Sequence, residues 1–553
     1  MWARTRKRLR DSARAFSTNT RNPNLRRVQL SFWAAWTAEW ALTVAIGVVA
    51  FRDGGAEAVG IVAFVRLAPS AVLAPLGTTL GDRLPRDRVL LVSCVIRAAA
   101  TAAATAMLAA GGSTVGVYAL AVIATAAFTV YRPVHSALLP ELSMTPLELT
   151  SANVVRGLLD SLSVLLGPAA AAVLLAVSSP ASVFGLAAGL SLWAGLLMLG
   201  LSYDRSPPRA PRPLRLIVEE TVEGFRFLAR PRDPGLLIGI GLAQTFTRGC
   251  LNVFLVVVAI DLLDAGEPGV GLLTAAIGAG AVAGSLGASM FAGGRRVATL
   301  EGIGVALWGV PLILSGAFAV EPLVIVLMCV IGIGNALVDI GVFTGLPRLV
   351  PDEMLARVFG AFEALIALTV AIGALVTPLA IDLLGIRGAL VVIGLVAPLL
   401  VLLAWPRLRA IDASITHRDE EIEVLKRVGM FRPLPMPAID GLALHVGHAD
   451  FAAGQEIFHQ GDEGDRFYVI DAGEAEVIGD GLLVTTIGPG DGFGEIALLR
   501  DIMRTTTVRA RTPLRLYTLD RGHFLAAVGG YSSSARAADE LVAGRLASLT
   551  AGP

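Results

Sequence analysis

One stretch of the chain, Phe493 to Val508, combines residue types that can bind an anion and a hydroxyl group side by side. It reads FGEIALLRDIMRTTTV. A short helix beginning after Gly494 would direct unpaired backbone N–H groups toward an anion. The Arg504 guanidinium could donate to the same anion, and the Glu495 carboxylate could accept a hydrogen bond from a neighbouring hydroxyl. The stretch therefore predicts a site for a ligand that carries both a phosphate and a hydroxyl or diol. The alternative is a surface salt bridge on a β-hairpin.

The same stretch resembles the phosphate-binding cassette of cyclic nucleotide-binding domains, in which Phe-Gly-Glu and an apolar run precede Pro-Arg-x-x-Thr. The spacing matches without a gap, and Met503 stands where the family usually has proline. The resemblance implies that Glu495 holds the ribose 2′-hydroxyl and that Arg504 holds the exocyclic phosphate. The whole set of nucleotide-binding residues that it implies is Gly494, Glu495, Ile496, Ala497, Arg504, Thr505 and Thr506. The regulatory ligand would be cAMP or cGMP, with no metal.

The composition is that of a protein embedded in a lipid bilayer. Of 553 residues, 55% are hydrophobic and 16% are charged, and the mean hydropathy is +0.70. Soluble domains are far less apolar. The formal net charge is zero, which gives no indication of a nucleic-acid partner. The three cysteines lie in apolar runs without a CxxC motif, so we expect small core residues in a reducing or lipid setting.

Apolar segments long enough to cross a bilayer recur along the first three quarters of the chain. Twelve are predicted, near residues 28–50, 58–80, 89–110, 115–132, 151–176, 182–202, 233–260, 269–292, 300–319, 322–345, 358–383 and 388–405. Arginines concentrate in the even-numbered connections and the flanks, whereas the odd connections hold only Arg52 and Arg387. The positive-inside rule then places both termini in the cytoplasm of a multi-pass inner (plasma) membrane protein. No cleavable signal peptide is expected, because the basic arm leads directly into a full-length span.

A duplication is visible within these spans. The tetrapeptide beginning at Leu139 is Leu-Pro-Glu-Leu, and Leu-Pro-Arg-Leu begins at Leu346, 207 positions later. Each copy follows the fourth span of its half and precedes the fifth, which predicts two repeats of six helices.

Two halves of six spans resemble the major facilitator superfamily, in particular its bacterial exporter branch related to enterobactin exporters. The loop from Gly81 to Arg88 is similar to the signature between the second and third spans, and Gly167-Pro168 is similar to the bend of exporters. Proton antiporters of this superfamily carry an arginine in the middle of the fourth span, whereas Arg132 lies at the end of the predicted one. The resemblance implies a secondary transporter and favours export.

After residue 405 the chain becomes polar. Ile411 to Val428 has a helical, charged pattern that predicts a connecting helix. Short strands separated by glycine turns follow, and they predict a compact antiparallel β-roll that a last helix, 534–549, would complete. The glycine turns and strands of 425–530 are again similar to a cyclic nucleotide-binding roll. The predicted domains are 1–27 (a basic cytoplasmic arm), 28–203 and 233–405 (the two transporter halves), 204–232 (a central loop with an amphipathic helix), 406–430 (the linker) and 431–553 (the nucleotide-binding domain).

Charged residues inside predicted spans are costly and often functional. Glu39 and Arg66 fall at similar depth, so we predict that they pair. The same comparison of depths places Asp160 beside Arg97 or Arg156. It also places Asp339 beside Glu363, and these two residues are the candidate proton site. Gln244 and Arg248 could contact a polar substrate, although interhelical hydrogen bonding is equally consistent. The predicted transport and gating residues are Glu39, Arg66, Asp82, Arg83, Arg97, Arg156, Asp160, Asp339 and Glu363.

These observations predict an all-α membrane domain of twelve helices joined to a cytoplasmic β-roll. The function they indicate is a secondary active transporter, exporting a small molecule or lipid, that a cyclic nucleotide regulates, with cAMP favoured over cGMP. Its partners would be the lipid bilayer, the substrate, the nucleotide and, if transport is ion-coupled, protons. Two alternatives stay open: a membrane-anchored nucleotide sensor without transport, and a transporter of the cyclic nucleotide itself. No catalytic constellation or nucleotide-hydrolysis loop is found, so no enzymatic activity is expected.

Overall fold

The computed structural model describes residues 22–143, 145–201, 203, 214–229, 233–288, 296–350, 352–434, 436–443 and 445–550. It divides into two compact units, Met1–Ile411 and Asp412–Pro553. Residues 1–21 of the predicted basic arm, and residues 204–213 and 230–232 of the central loop, lie outside the described residues. The amphipathic segment of that loop is an α-helix, as its pattern predicts.

The first unit is helical throughout its described residues. Runs of apolar and small residues, with few interruptions by polar side chains, form long helices. In chain order these are α1 (Pro23–Arg83), α2 (Arg86–Ala109), α3 (Thr114–Thr129), α4 (Tyr131–Leu142), α5 (Pro146–Val177), α6 (Pro180–Met198), α7 (Leu214–Leu228), α8 (Asp233–Val257, extended by a π-helical turn, Val258–Leu262), α9 (Gly266–Ala288), α10 (Val297–Ala317), α11 (Glu321–Leu349) and α12 (Asp352–Leu425).

Ten helical segments among the described residues are long and apolar enough to cross a membrane by length and composition. Two of them, Pro23–Pro69 and Arg357–Leu425, are much longer than one crossing requires. The first has non-helical backbone at Gly54 and Gly55, and the second has it at Gly385. The helical character of this region is confirmed, and its long apolar helices agree with the predicted membrane spans. Twelve crossings arranged as two repeats stay a prediction.

Small residues let neighbouring membrane helices approach one another closely. A Cβ atom added to Gly280 of α9 would lie 1.8 Å from the carbonyl oxygen of Cys329 in α11. Gly332 of α11 approaches the carbonyl oxygen of Ile277 in α9 in the same way, at 2.0 Å. Such contacts are too short for any side chain, so the helix pair depends on these glycines.

The two similar tetrapeptides occupy equivalent places in their helices. Leu139–Leu142 forms the last turn of α4, and Leu346–Leu349 forms the last turn of α11. Each contains a proline, and a new helix begins after a short connection. Gly167 and Pro168 lie within α5, where Gly167 packs against the carbonyl oxygen of Thr37.

The second unit contains two antiparallel sheets, as the alternating short strands predict. The strands are β1 (Gly447–Phe451), β2 (Glu456–Phe458), β3 (Arg466–Ala472), β4 (Ala475–Gly479), β5 (Leu482–Ile487), β6 (Gly492–Phe493), β7 (Thr507–Ala510) and β8 (Leu514–Asp520). One sheet has the order β1-β8-β3-β6 and the other β2-β7-β4-β5. β3 and β8 each bury four consecutive side chains, so both faces of these strands are covered.

Helices flank this pair of sheets. They are α13 (Met436–Ala443), α14 (Glu495–Arg500), α15 (Arg521–Gly529) and α16 (Ser532–Thr550). Fully buried aromatic rings join helices to sheet: Phe431 packs edge-on against Phe467, and Phe467 stacks on Phe524 of α15 at 4.7 Å between ring centroids. This aromatic core anchors the framework on which the pocket of the second unit is built.

Candidate functional site

The second unit contains a pocket formed by the β2-β7-β4-β5 sheet, by α14 and by the segment that precedes β7. Its space is about 610 Å³, including the part open to solvent. Every residue predicted to bind the nucleotide lines it. The lining is Phe458, Val477, Val484, Thr485, Ile487, Phe493, Gly494, Glu495, Ile496, Ala497, Arg504, Thr505, Thr506, Val508 and Arg545.

Gly494 sets the geometry at the start of α14. Its backbone is left-handed, with φ of 91° and ψ of 2°, a conformation that side chains disfavour. A Cβ atom at this position would also lie 2.6 Å from Nη1 of Arg504. Glycine is therefore required twice, for the turn and for the approach of the arginine.

Arg504 is almost completely buried and is held from several directions. Its Nη1 donates to the carbonyl oxygen of Gly494 at 2.9 Å, and its Nη2 donates to that of Arg466 at 2.8 Å. The guanidinium lies 4.2 Å from the centroid of the Phe458 ring. Burial lowers the pKa of Arg504 from its ordinary value, while the neighbouring Tyr468 and Asp465 oppose that shift. One donor, Nε, has no hydrogen-bond partner.

The main chain of Arg504 is fixed as well. Its N–H donates to the carbonyl oxygen of Asp462 at 2.8 Å, and its carbonyl oxygen accepts from the N–H of Gly461 at 2.9 Å. Met503, which replaces the family's usual proline, is 56% exposed. The turn is therefore held by hydrogen bonds from the Gly461–Asp462 segment rather than by a proline ring.

Glu495 is buried, with 1% of its surface exposed, at the first position of α14. Its Oε1 accepts from Nη1 of Arg545 on α16 at 2.7 Å, whereas its Oε2 has no hydrogen-bond partner. The sequence did not predict a role for Arg545, because fifty residues separate it from Glu495. The only signal was that Arg545 is a basic residue within the predicted last helix, 534–549.

Two buried groups of opposite charge thus line one pocket, and each has a polar atom without a partner. Unsatisfied buried donors and acceptors are uncommon in folded proteins, and a ligand can supply the missing bonds. Nε of Arg504 suits an anionic oxygen, and Oε2 of Glu495 suits a hydroxyl donor. This donor set fits a nucleotide that carries both groups.

The helical unit encloses a second cavity, of about 1090 Å³ including the part open to solvent. Charged groups of both signs face it, namely Arg132 of α4, Asp160 of α5, Arg248 of α8 and Asp339 of α11. Three tryptophans also line it: Trp36, Trp40 and Trp308. Oδ1 of Asp160 is buried without a hydrogen-bond partner. The cavity can therefore receive a molecule with both polar and aromatic or apolar parts.

Arg132 corrects the prediction for the fourth span. The span was expected to end at residue 132, but the apolar helical segment runs from Thr114 to Leu142. Arg132 therefore lies well inside it and lines the cavity. The charged arginine and the following proline made the apolar pattern stop early, although a helix can accommodate Pro133 in its first turn.

The predicted pair of Glu39 and Arg66 lies in one cluster, but the closer partner of Glu39 is Arg97. Nη2 of Arg97 is 3.1 Å from Oε2 of Glu39, and Nη2 of Arg66 is 3.9 Å from Oε1. The expectation that Arg97 pairs with Asp160 is therefore wrong, since depth along the sequence does not determine the direction in which a side chain points. Asp160 lines the cavity instead.

Two of the other predicted pairings have members that act on one another through their charges, Asp160 with Arg156 and Asp339 with Glu363. Arg156 donates to Oγ of Ser136 at 2.6 Å. Asp339 accepts from Nδ2 of Asn335 at 3.2 Å, and the charges of Asp339 and Glu363 both act on Arg248. Gln244 is buried and does not line the cavity. The side chains of Asp82 and Arg83 lie outside the described residues.

The loop similar to the superfamily signature has contacts that the sequence did not reveal. Arg86 forms an ion pair of 2.7 Å with Glu141 at the end of α4. Asp87 is buried and accepts from the Tyr203 hydroxyl at 3.1 Å. The start of α2 is thus attached to the end of α4 and to the segment after α6.

Comparison with known proteins gives two family matches. Residues 29–299 match the family model described as Major Facilitator Superfamily, and residues 449–531 match that of the cyclic nucleotide-binding domain. A cAMP-dependent protein kinase regulatory subunit of Yarrowia lipolytica is 47% identical over 72 residues, which are 13% of this chain and 19% of that protein.

Among solved structures, the regulatory domain of Toxoplasma gondii PKA with cAMP shares 28% identity at a TM-score of 0.20, over 20% of this chain and 44% of that one. The regulatory subunit of a cAMP-independent protein kinase A from Trypanosoma cruzi, bound to guanosine, shares 32% identity at a TM-score of 0.20, over 21% and 43%. This chain therefore spans less than half the length of each of these relatives.

The superfamily and the nucleotide-binding domain predicted from the sequence are confirmed, and the exporter branch stays a prediction. With its apolar helices, the first match indicates a multi-pass membrane protein. The chain thus carries a Major Facilitator Superfamily domain at residues 29–299 and a cyclic nucleotide-binding domain at residues 449–531.

Proposed function

We propose that this protein is a secondary active transporter whose activity is regulated by a cyclic nucleotide bound to its C-terminal domain. The observation that carries the regulatory part is the pair of unsatisfied atoms in the pocket, Oε2 of Glu495 and Nε of Arg504. A ribose hydroxyl would satisfy the first and an exocyclic phosphate oxygen the second. The amides of Ile496, Ala497 and Thr505 would complete the cradle.

We favour cAMP over cGMP as the ligand. The Yarrowia relative, 47% identical over 72 residues, is described as cAMP-dependent. The pocket residues that we assign to the ligand bind its phosphate and its ribose, and both groups are present in cAMP and in cGMP. The preference for cAMP therefore rests on that relative. Competition between the two nucleotides for the purified protein measures it directly.

The transport part is supported by the cavity of the helical unit. Its two arginines and two aspartates lie within one space, beside three tryptophans. Intramembrane charges that face a shared cavity are typical of substrate and ion pathways. We propose that a small molecule or lipid with at least one polar group binds here and is exported. If transport is coupled to protons, Asp339 is the candidate proton-binding group, with Glu363 acting on the same arginine.

The experiment uses the purified protein in vesicles and a panel of labelled candidate substrates, with and without cAMP. Regulated transport requires uptake of at least one compound that changes when cAMP is added, and no such change in Arg504→Ala. A panel that is never transported while cAMP still binds would favour a membrane-anchored sensor. Accumulation of labelled cAMP itself would favour a nucleotide transporter. We propose an inner-membrane location with both termini in the cytoplasm, where the nucleotide is available, and no enzymatic activity.

A further inference from the structure

Three charged side chains form a buried cluster in the first helical repeat, apart from the residues that line the cavity. Glu39 of α1 lies between two guanidinium groups, those of Arg97 on α2 at 3.1 Å and Arg66 on α1 at 3.9 Å. The exposed fractions of these side chains are 15% for Glu39, 1% for Arg97 and 7% for Arg66. One carboxylate therefore neutralises only one of two buried cations.

The arginines have more donors than the surrounding protein can satisfy. Nε and Nη1 of Arg66, and Nε and Nη1 of Arg97, are buried without a hydrogen-bond partner. Outside the ion pairs, Nη2 of Arg66 donates to Oγ1 of Thr43 at 2.9 Å. Arg97 otherwise lies against the ring face of Phe128, 4.0 Å from its centroid. Four unsatisfied donors on buried cations are costly unless something accepts from them.

Among the described residues, the charges that act on Arg66 are those of Glu39 and Arg97. The charge of Arg97 also acts on Cys94, on the same helix, and on Tyr131 of α4. Both groups are uncharged in their ordinary state, so no second acid among the described residues compensates for the excess charge. The cluster therefore carries one net positive charge in a region that a membrane would surround.

The cluster adjoins the cavity on one side. Thr43, which accepts from Arg66, also lines the cavity, as does Trp40. The side chain of Thr43 thus contacts the cluster and borders the cavity.

We propose that the cluster of Glu39, Arg66 and Arg97 is a binding site for a small monovalent anion. A single negative charge makes the cluster neutral, and a spherical or planar anion can accept several of the four free donors at once. The anion is either a free halide or the carboxylate of a transported molecule. This site does not depend on the nucleotide pocket, so the failure of either proposal leaves the other standing.

The experiment measures the thermal unfolding midpoint of the full-length protein in detergent. Isethionate, a bulky sulfonate that carries no carboxylate, is replaced stepwise by chloride in one series and by formate in another, at constant ionic strength. Saturable binding to the folded state raises the midpoint along a saturation curve. A response to chloride identifies a free anion as sufficient, and a response to formate alone identifies a carboxylate. A midpoint that is independent of both anions overturns the proposal.

Variants assign the response to the cluster. Arg66→Gln removes the excess charge and two free donors. It should raise the half-saturating anion concentration by about 10- to 150-fold. Glu39→Gln raises the net charge and should strengthen anion binding, which keeps the test decisive if Arg66→Gln does not fold. Arg52→Gln is the matched control, because Arg52 is 56% exposed and pairs with Glu267 away from the cluster. An unchanged anion response in Glu39→Gln would overturn the assignment, as would a normal response in a folded Arg66→Gln protein.

Discussion

At the scale of single residues, Arg504 both stabilises the wall of the pocket in the second unit and offers a donor to a ligand. Two of its nitrogens bind the carbonyl oxygens of Gly494 and Arg466, which fixes the wall of the pocket. The third nitrogen, Nε, is free for a ligand. A substitution here should therefore affect nucleotide binding strongly and the stability of the domain to a lesser extent.

We predict that Arg504→Ala weakens cAMP binding by about 2–3 kcal/mol, or about 30- to 150-fold, because a charge-assisted contact is lost. Calorimetry on the full-length protein measures the change. Arg509→Ala is the control, since Arg509 lies on β7 nearby but pairs with Glu476. A thermal melt of each variant separates lost binding from lost folding. If the folded Arg504→Ala protein bound cAMP with the parent's affinity, the assignment of the pocket would be wrong.

The contact proposed for Glu495 predicts which group of the ligand the carboxylate binds, in addition to a change in affinity. If its Oε2 accepts from the ribose 2′-hydroxyl, Glu495→Ala should weaken cAMP binding but leave 2′-deoxy-cAMP nearly unaffected. The double comparison isolates one contact, because the deoxy ligand removes the donor and the substitution removes the acceptor. Equal losses for both nucleotides would show that Glu495 supports the pocket without contacting the ribose.

At the scale of elements, α16 contributes to a pocket that otherwise consists of strands and α14. Its Arg545 contacts Oε1 of Glu495 at 2.7 Å, and Arg545 is itself only partly buried. The pair holds one carboxylate oxygen while the other stays free. The last helix should therefore orient the ribose acceptor.

We predict that Arg545→Ala reduces affinity for cAMP by about 3- to 10-fold, with a smaller effect on 2′-deoxy-cAMP, because half-exposed charged hydrogen bonds are worth about 1 kcal/mol. Arg536→Ala, an exposed change on the same helix that affects only a bond to the carbonyl oxygen of Ser532, is the control. Competition binding with a fluorescent cAMP analogue measures both. Identical cAMP affinities for Arg545→Ala and Arg536→Ala would show that α16 has no role in nucleotide binding.

Local patterns predicted elements well and distant contacts poorly. The strands of the second unit are short and separated by glycine turns, and the run from Gly494 to Arg504 lies within one short segment, so both could be predicted from sequence. Arg545 could not, since its position depends on how α16 folds back. Arg132 was misplaced because one charge and one proline outweighed the apolar residues that continue the span. The pairing of Glu39 with Arg66 was predicted by depth, yet only three-dimensional packing shows that Arg97 is the closer partner of Glu39.

At the scale of the whole molecule, the arginine distribution predicts which side of the membrane each end occupies. A reporter enzyme active only in the cytosol should be active when fused after Pro553. The same reporter should be inactive when inserted at the helix break of Gly54 and Gly55. Activity measured in cells, corrected for the amount of each fusion, provides the test. The opposite pattern would mean that the orientation is inverted, and inactivity at both positions would mean that the number of crossings is odd.

Regulation requires that nucleotide binding in the pocket change the conformational equilibrium of the membrane domain. The pattern of Ile411 to Val428 predicts a connecting helix, and α12 is helical as far as Leu425. A helical connection lacks the slack of a Gly/Ser-rich linker. We therefore expect nucleotide binding to shift the equilibrium between inward-open and outward-open states of the transporter, with the 1–3 kcal/mol that is typical of coupled sites.

The most direct test measures the chemical accessibility of the cavity with and without cAMP, and it needs no knowledge of the substrate. Asn252→Cys places a thiol in the cavity lining, in a background with Cys94, Cys250 and Cys329 replaced by alanine. Ser179→Cys, before α6, is the exposed control. Saturating cAMP should change the labelling rate of Asn252→Cys by about fivefold or more, leave Ser179→Cys unchanged, and have no effect once Arg504→Ala is added. Equal labelling of Asn252→Cys with and without bound cAMP would contradict the account of a nucleotide-regulated transporter.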